Sequence, residues 1–201
     1  MTRRPGRSAH NDPGLAAILD AKPGAACLVG KAWDFHVNVA LGIEPQENLA
    51  MIAESISAAK ARLGMAMFDA EHFFDGFKRN REYALAVLRS AAEGGAHRLV
   101  LCDTNGGSLP SEVADIVGFL KENVSSSLGI HCHNDSDLAV ANTIMAVRCG
   151  ATHVQGTING LGERCGNANL CSIIPNISLK LGLETIPRES MHLLNDISHF
   201  V

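Results

Sequence analysis

The sequence has no long apolar run, no excess of positive charge and no paired-cysteine motif, and each absence excludes a class of protein. No stretch approaches the roughly 20 apolar residues of a membrane-spanning helix, and residues 1–14 contain no apolar signal core. The net charge of −4 gives no electrostatic reason to expect nucleic acid or an anionic membrane as partner. The six cysteines form no CxxC pair, so we expect reduced thiols in a cytoplasmic protein.

The 201 residues suffice for one domain with a sizeable core. Five short apolar runs each lead into a polar or glycine-rich turn and then a helical pattern, which predicts successive βα units of a parallel α/β sheet. The predicted strands are 25–29, 65–68, 97–102, 129–133 and 153–158, and the predicted helices are 45–63, 81–94, 110–123, 138–149 and 169–181. Residues 1–14 contain Pro5 and Asp12, which favour a solvated segment over a targeting arm.

The stretch 129–135, GIHCHND, places two histidines two residues apart. In a strand, residues i and i+2 project from the same side of the sheet, so His131 and His133 can share one metal ion. Cys132 then points to the opposite face, and we assign it no role. A buried strand with two hydrogen-bonded histidines is the alternative interpretation.

Polar side chains occupy the same place in every unit, directly after the apolar run. The carboxyl ends of parallel strands meet at one rim, where α/β proteins build their active sites. We therefore expect a shared functional rim, although each residue alone has a helix cap or a loop charge as its alternative role. The pairs are Asp34 and His36, Glu71 and His72, Asp103 and Thr104, His131 and His133, and Glu163 and Asn167.

Five segments, in order, carry a resemblance to a known family: GKAWDFHV, FDAEHFFDG, LVLCDTNGG, GIHCHND and QGTINGLGERCGNANLCSIIPN. Together they resemble the acyltransferase barrel of the 2-isopropylmalate, homocitrate and citramalate synthase family, which shares a metal-dependent (β/α)8 barrel with 3-hydroxy-3-methylglutaryl-CoA lyase. DAEHFFDG, CDTNGG and GERCGNANLCSIIPN most resemble the citramalate synthase branch. The resemblance covers the whole chain and implies a TIM barrel.

The resemblance implies a divalent metal, Mn²⁺ or Mg²⁺ in preference to Zn²⁺. His131 and His133 would bind it through ring nitrogens, and Asn167 through its amide oxygen. A mixed set of nitrogen and oxygen ligands with open positions suits a Lewis acid better than a closed structural zinc.

The resemblance also implies roles for neighbouring residues. Glu71 and Glu163 are the expected catalytic carboxylates. Thr104 would hold the carboxylate of a 2-oxo acid, with Asp103 and Arg164 also binding substrate. The loop Gly160–Arg164 would line the acyl-CoA side, since its two glycines permit close backbone approach.

The implied reaction condenses acetyl-CoA with a 2-oxo acid. With the keto group polarised by the metal, a base removes a proton from the acetyl methyl group, the enolate attacks the keto carbon, and the thioester is hydrolysed. With pyruvate the product is citramalate, in isoleucine biosynthesis. Synthesis of 2-isopropylmalate or homocitrate is the alternative within the family, and we expect a homodimer in the full-length enzyme.

Two departures from the family pattern stand out. After His-x-His-Asn-Asp the family usually has a small residue and then glycine, whereas Ser136 is followed here by Asp137. Asp137 either perturbs the loop, competes for the ion or caps the next helix, and we favour the cap. The Arg-Asp-Gly type motif of the family's first strand, which supplies an aspartate ligand and a catalytic arginine, has no counterpart here.

Matched in order, the segments correspond to strands four to eight of the barrel. We therefore expect a partial TIM-barrel domain over residues 1–186 and the start of a linker helix over residues 187–201. On this interpretation the chain is either a truncated form of an acyltransferase or a non-catalytic remnant that keeps a metal-binding face.

Overall fold

A computed structural model describes residues 1–201, and its five strands form one sheet in chain order. The β1–β2 and β2–β3 pairs are parallel, which confirms the predicted α/β sheet. The strands are β1 (Ala26–Lys31), β2 (Ala66–Glu71), β3 (Arg98–Asp103), β4 (Ser127–Cys132) and β5 (His153–Gln155).

Helices precede, separate and follow the strands. The α-helices are α1 (Pro13–Asp20), α2 (Asp34–His36), α3 (Pro45–Leu63), α4 (Phe73–Arg79), α5 (Arg81–Glu93), α6 (Pro110–Asn123), α7 (Ala139–Arg148), α8 (Leu170–Pro175) and α9 (Leu193–Phe200). Two π-helical turns, Val37–Leu41 and Asn176–Lys180, and two 3₁₀ turns, Ile158–Gly160 and Arg188–Ser190, complete the set. None of these helices combines the length and hydrophobicity that crossing a membrane requires.

Helix α3 has the bounds that the sequence predicts, and its ends show why. Pro45 occupies the first turn, where its missing N–H costs nothing, and Gly64 follows the last turn with φ of 80°. One face of the helix is buried at helical spacing. The residues of that face are Asn48, Met51, Ile52, Ser55, Ile56 and Ala59.

The predicted helix 169–181 is observed as two pieces, α8 and the π-helical turn Asn176–Lys180. Pro175 lies at their junction. Because proline has no N–H to donate to the preceding turn, the α-helical hydrogen-bond pattern is interrupted there and the helix continues as a wider π-helical turn.

Strand β5 is shorter than the predicted strand 153–158. A Cβ at Gly156 would lie 2.5 Å from the carbonyl oxygen of Ala168, so another backbone segment passes directly against this position. Thr157 then bonds that segment through the Thr157 N to Ala168 O contact of 3.1 Å. The chain leaves the sheet at Gly156 to pair with residues 168–170.

The chain forms two compact units. The first comprises residues 1–102 and 124–129. In β1 and β2 alternate residues are buried, and Phe68, Phe73 and Phe74 are fully buried in this unit. Gly30 lies against the Phe68 ring, 2.8 Å from where a Cβ would be, so glycine is required for the ring to pack there.

Residues 4–8 of the N-terminal segment are exposed, as predicted for a solvated stretch, but the residues before them pack against the first unit. The Thr2 amide donates to the Val29 carbonyl of β1 at 3.1 Å. Arg3 is buried, and its guanidinium contacts Glu54 at 2.6 Å and Glu47 at 2.8 Å. Two carboxylates from α3 therefore compensate the one cation, which is how a buried arginine is tolerated.

The second unit comprises residues 103–123 and 130–201. Helix α6 buries Val113, Val117 and Leu120, and α7 buries Ala139, Thr143 and Ala146. Between these helices, the buried Asn142 amide donates to the Ser108 carbonyl at 2.7 Å. This bond ties α7 to the loop that precedes α6.

Helix α1, which the sequence analysis missed, begins at a buried aspartate. Asp12 Oδ1 accepts from the Leu15 amide at 2.9 Å, and Oδ2 accepts from the Arg4 amide at 3.0 Å and from Arg4 Nε at 3.2 Å. Burial acts to raise the pKa of Asp12, but these hydrogen bonds outweigh it and lower the pKa to about 2.

Asp12→Ala is expected to lower the free energy of unfolding at pH 7 by about 1–2 kcal/mol, the upper range for a lost helix cap. Because the folded pKa lies below the ordinary value, the ionised form stabilises the fold above about pH 4 and loses this effect as the pH falls towards 2. Urea unfolding measures the free energy of unfolding of variant and wild type, and the difference between them should decrease as the pH falls from about 4 to about 2. Asp20→Ala, which removes an exposed partner of Arg62, is the control and should change little. A difference independent of pH would contradict the assignment.

Candidate metal centre at the end of the fourth strand

The two histidines of β4 lie together at the end of the strand. Their ring centroids are 5.2 Å apart, while Cys132 between them is buried; burial raises the pKa of its thiol. His131 Nδ1 is 2.9 Å from Gln155 Oε1. An amide oxygen only accepts, so Nδ1 carries the proton and Nε2 keeps its lone pair for a metal.

His133 and Asn167 face each other across an antiparallel bridge. His133 Nδ1 and Asn167 Oδ1 are both buried without a hydrogen-bond partner. An unpaired buried polar atom costs about 1–3 kcal/mol, and here two such atoms lie on residues that the bridge brings side by side. A divalent cation supplies what both lone pairs lack, and the residues present therefore fit a metal.

The donor set is small. No three His, Cys, Asp or Glu side chains among residues 1–201 cluster as metal ligands would. A cation here must therefore combine the two imidazoles with the Asn167 amide and with oxygens of substrate or water. Such a set matches an open catalytic site and not a closed structural one.

The protonation state of His133 suits a ligand. Burial is the largest influence on its pKa, and His131 and Arg164 act in the same direction, so the pKa lies below the ordinary value despite Asp135 and Glu163. Below its ordinary range the imidazole is neutral at pH 7, the form that binds a metal.

Backbone pairing and glycines fix the position of Asn167. The Asn134 amide donates to the Gly166 carbonyl at 2.9 Å, and the Ala168 amide donates to Cys132 at 3.0 Å. The Asn167 Nδ2 group donates to the Leu161 carbonyl at 3.2 Å. A Cβ on Gly162 would overlap that Nδ2 group, so glycine is required at residue 162 for this amide orientation.

Arg164 bridges two strand ends of the second unit. Its Nε and Nη2 contact the two Asp135 oxygens at 2.8 Å and 3.0 Å, and Nη2 also donates to the Thr104 carbonyl at 2.5 Å. The hydrogen bonds from Arg164 lower the pKa of Asp135. Arg164, Thr104 and Asp135 therefore lie together, and the substrate role of Arg164 and Thr104 stays a prediction.

Asp103 has a structural role. It is 1% exposed, and its carboxylate accepts from the Ser108 amide at 3.2 Å and hydroxyl at 3.1 Å. Its carbonyl accepts from the His133 amide at 3.1 Å. It therefore shapes the loop beside the histidines, and its predicted contact with substrate is untested.

Glu163 is the one predicted catalytic carboxylate that lies in the second unit. Its side chain is 82% exposed, and its closest charged neighbour is Arg164 at 3.9 Å. Nothing orients this carboxylate strongly, so its catalytic role also stays a prediction.

Glu71 lies in the first unit at the end of β2. Its carboxylate contacts Lys31 Nζ at 2.7 Å, because Lys31 and Glu71 are register partners in β1 and β2. Beside it, the rings of His36 and His72 meet edge to face at 4.1 Å, and His72 adopts a left-handed backbone with φ of 59°. Lys31 was missed by the sequence analysis, although the matching strand ends could have indicated it.

Asp137 does not cap α7, and the prediction that it does is wrong. The Ala139 amide at the start of the helix donates to Asn134 Oδ1 at 3.1 Å, while Asp137 accepts from Asn134 Nδ2 at 3.1 Å. Asp137 has φ of 58°, a left-handed conformation that aspartate tolerates better than most residues. Its carboxylate orients the side chain of Asn134, which caps the helix instead.

Solved structures with the same fold define the class. The HMG-CoA lyase of Bacillus subtilis superposes with a TM-score of 0.78 at 22% identity, covering 93% of this chain and 65% of that one. The hydroxymethylglutaryl-CoA lyase of Pseudomonas aeruginosa gives 0.77 at 18% identity, covering 98% and 69%. The fold is that of the HMG-CoA lyase-like TIM barrels, here as part of the barrel.

The HMGL-like family profile matches residues 6–200, so the chain belongs to the HMGL-like family. It is 51% identical to the (R)-citramalate synthase of Aquifex aeolicus and 48% identical to that of Geobacter sulfurreducens, each over 100% of this chain. It is 34% identical to the 2-isopropylmalate synthase of a Caulobacter strain over 87% of this chain and 33% of that protein. The chain spans 38% of the length of the two citramalate synthases, and the predicted family is confirmed.

Gly162→Ala is expected to displace the Asn167 amide and to weaken Mn²⁺ binding by on the order of tenfold, as loss of a ligand's orientation does. Isothermal calorimetry of the 201-residue chain measures this. Gly107→Ala is the control, since nothing lies within 4 Å of its added Cβ. Equal affinities for the two variants would show that Asn167 contributes nothing to binding.

Asn134→Ala is expected to lower the free energy of unfolding of the metal-free chain by about 1 kcal/mol, the usual cost of a lost cap. Asp137→Gly should change it by less than about 0.5 kcal/mol, because relief of the left-handed strain offsets the lost hydrogen bond. Thermal unfolding of both variants compares them. If the stability of Asn134→Ala equals that of wild type, Asn134 is not the cap of α7.

Proposed function

We propose that the chain carries the metal-binding part of a citramalate synthase-like acyltransferase. The observation that carries this is the pair of unpartnered buried atoms, His133 Nδ1 and Asn167 Oδ1, on a strand end that also presents His131. The 45–51% identity to (R)-citramalate synthases supports the substrate class.

The proposed reaction joins acetyl-CoA, pyruvate and water to give citramalate and free coenzyme A. His131, His133 and Asn167 would hold Mn²⁺ or Mg²⁺, which would supply a Lewis acid for the keto group of the 2-oxo acid. Glu71 is the proposed base for the acetyl methyl proton. Lys31 keeps the Glu71 carboxylate fixed through their 2.7 Å contact.

In the second unit, substrate would meet polar groups that are already oriented. The Arg164 guanidinium is held in place by hydrogen bonds to the Asp135 carboxylate and to the Thr104 carbonyl. Thr104 is then held at the strand end where the resemblance places the carboxylate of the 2-oxo acid. Preorganised groups of this kind cost no reorganisation during reaction, which favours the transition state.

We further propose that the protein is cytoplasmic and belongs to a homodimeric enzyme of branched-chain amino-acid biosynthesis. A non-catalytic protein that keeps only the metal-binding face is the second candidate, since the three proposed ligands, His131, His133 and Asn167, all lie in the second unit.

Mn²⁺ calorimetry of the chain tests the metal site directly. Wild type should bind, and His133→Ala should abolish binding because it removes one of the few protein ligands. His10→Ala, an exposed histidine of the first unit, is the control and should bind like wild type. Wild type that fails to bind Mn²⁺ would refute the metal site.

Activity is tested by mixing the chain with a polypeptide that supplies the first three βα units of the Aquifex aeolicus relative. Citramalate formation from acetyl-CoA and pyruvate should appear only in the mixture, and Glu71→Gln should lower kcat by roughly 10²–10⁴, as loss of a general base does. Preference for a bulkier 2-oxo acid would favour 2-isopropylmalate or homocitrate synthesis instead. Metal binding without turnover in any mixture would favour the non-catalytic candidate.

A further inference from the structure

Helix α9 is tied to the loop that follows β5 by a reciprocal pair of hydrogen bonds. Asn159 Nδ2 donates to the Ser198 carbonyl at 2.7 Å, and the Ser198 hydroxyl donates to Asn159 Oδ1 at 2.5 Å. The carbonyls in the last turn of a helix have no partner within the helix. Asn159 therefore supplies a C-terminal cap to α9 from a distant part of the sequence.

This pair is a prominent anchor of the helix, because α9 buries little apolar surface. No residue of α9 is buried, and Phe200 is 91% exposed. A helix of eight residues is not stable alone in water. Its position thus depends strongly on specific polar contacts such as those of Ser198.

Asn159, the partner of Ser198 in this pair of hydrogen bonds, has an unusual backbone conformation. Asn159 has φ of 59° and ψ of 8° inside the 3₁₀ turn Ile158–Gly160. Asparagine reaches this left-handed region at some energetic cost unless its side chain is bound locally. Both polar atoms of the Asn159 side chain are engaged by Ser198, which holds the turn in this shape.

The 3₁₀ turn Ile158–Gly160 and the residue after it also contact Asn167. The Gly160 carbonyl accepts from the Asn167 amide at 2.8 Å. The Leu161 carbonyl accepts from the Asn167 Nδ2 group at 3.2 Å and from the Thr157 hydroxyl at 2.6 Å. A Cβ on Gly166 would overlap the Gly160 oxygen, so the backbone segments around residues 160 and 166 are in close contact. The position of the Asn167 amide is therefore linked to that of the 3₁₀ turn through these contacts.

We propose that Asn159 and Ser198 are positioning residues for the metal ligand Asn167, so that docking of α9 and metal binding strengthen each other. This inference rests on the proposed metal site. Coupling between two sites is reciprocal: if Ser198 raises the affinity for the metal, bound metal must hold α9 more firmly in place.

Ser198→Ala removes the hydroxyl of the pair, and Asn159→Gly removes the side chain while leaving a residue that adopts the same backbone conformation freely. Ser178→Ala is the matched control. Ser178 Oγ also lies 2.5 Å from a partner, Thr185 Oγ1, on an exposed segment of the same unit, but this contact does not involve the loop that carries Asn167.

Mn²⁺ affinity is measured by calorimetry on the full chain, and the electron paramagnetic resonance spectrum reports the environment of the bound ion. Ser198→Ala and Asn159→Gly should weaken binding by roughly three- to tenfold, below the tenfold or more of a group that touches a ligand directly, and should alter the spectrum. Ser178→Ala should bind like wild type, and Ser198→Thr should restore affinity. In wild type, Mn²⁺ should slow hydrogen exchange in residues 193–200.

Equal Mn²⁺ affinity in Ser198→Ala, Ser178→Ala and wild type would overturn the proposal. Wild type that binds no Mn²⁺ refutes the metal site itself, and the positioning role is then decided without metal. In that case Ser198→Ala, but not Ser178→Ala, must speed hydrogen exchange of the Asn167 amide, and an unchanged rate would overturn the positioning role too.

Discussion

The second unit depends on one stretch of backbone pairing, where residues 166–168 lie against the end of β4. Two backbone hydrogen bonds, Asn134 N to Gly166 O and Ala168 N to Cys132 O, hold these segments together, and His133 bridges Asn167 between them. Side-chain ligands are mobile unless their backbone is fixed. Here the main chain sets the spacing of the imidazole and the amide that we propose as metal ligands.

This preorganisation has an energetic cost that the structure leaves uncompensated. Two buried polar atoms face no partner, at about 1–3 kcal/mol each, and several left-handed residues, among them Asp137, Asn159 and Arg164, surround them. Local strain of this kind persists only where the surroundings enforce it. The Asp135 and Arg164 pair and the Asn159 side chain provide that enforcement, which explains why polar contacts are concentrated around this loop.

The sequence predicted the regular parts well. Helices α3 and α6 have the predicted bounds because proline marks their starts and one face is buried at helical spacing. Helices α1 and α4 were missed because they are short and their caps, Asp12 and the left-handed His72, depend on tertiary contacts or unusual backbone. Within the site, His-x-His was readable from strand periodicity, whereas Gln155 and Ser198 act across many intervening residues and have no local pattern.

The division into units bears on how the two proposed properties relate. His131, His133 and Asn167 all belong to the second unit, whereas Glu71 and its partner Lys31 belong to the first. The proposed metal ligands therefore come from one unit, and the proposed base comes from the other. The two proposed properties are separable, because the free energy of binding an ion requires only its own ligands. Acyl transfer demands in addition that base, acetyl-CoA and 2-oxo acid be held in reacting geometry.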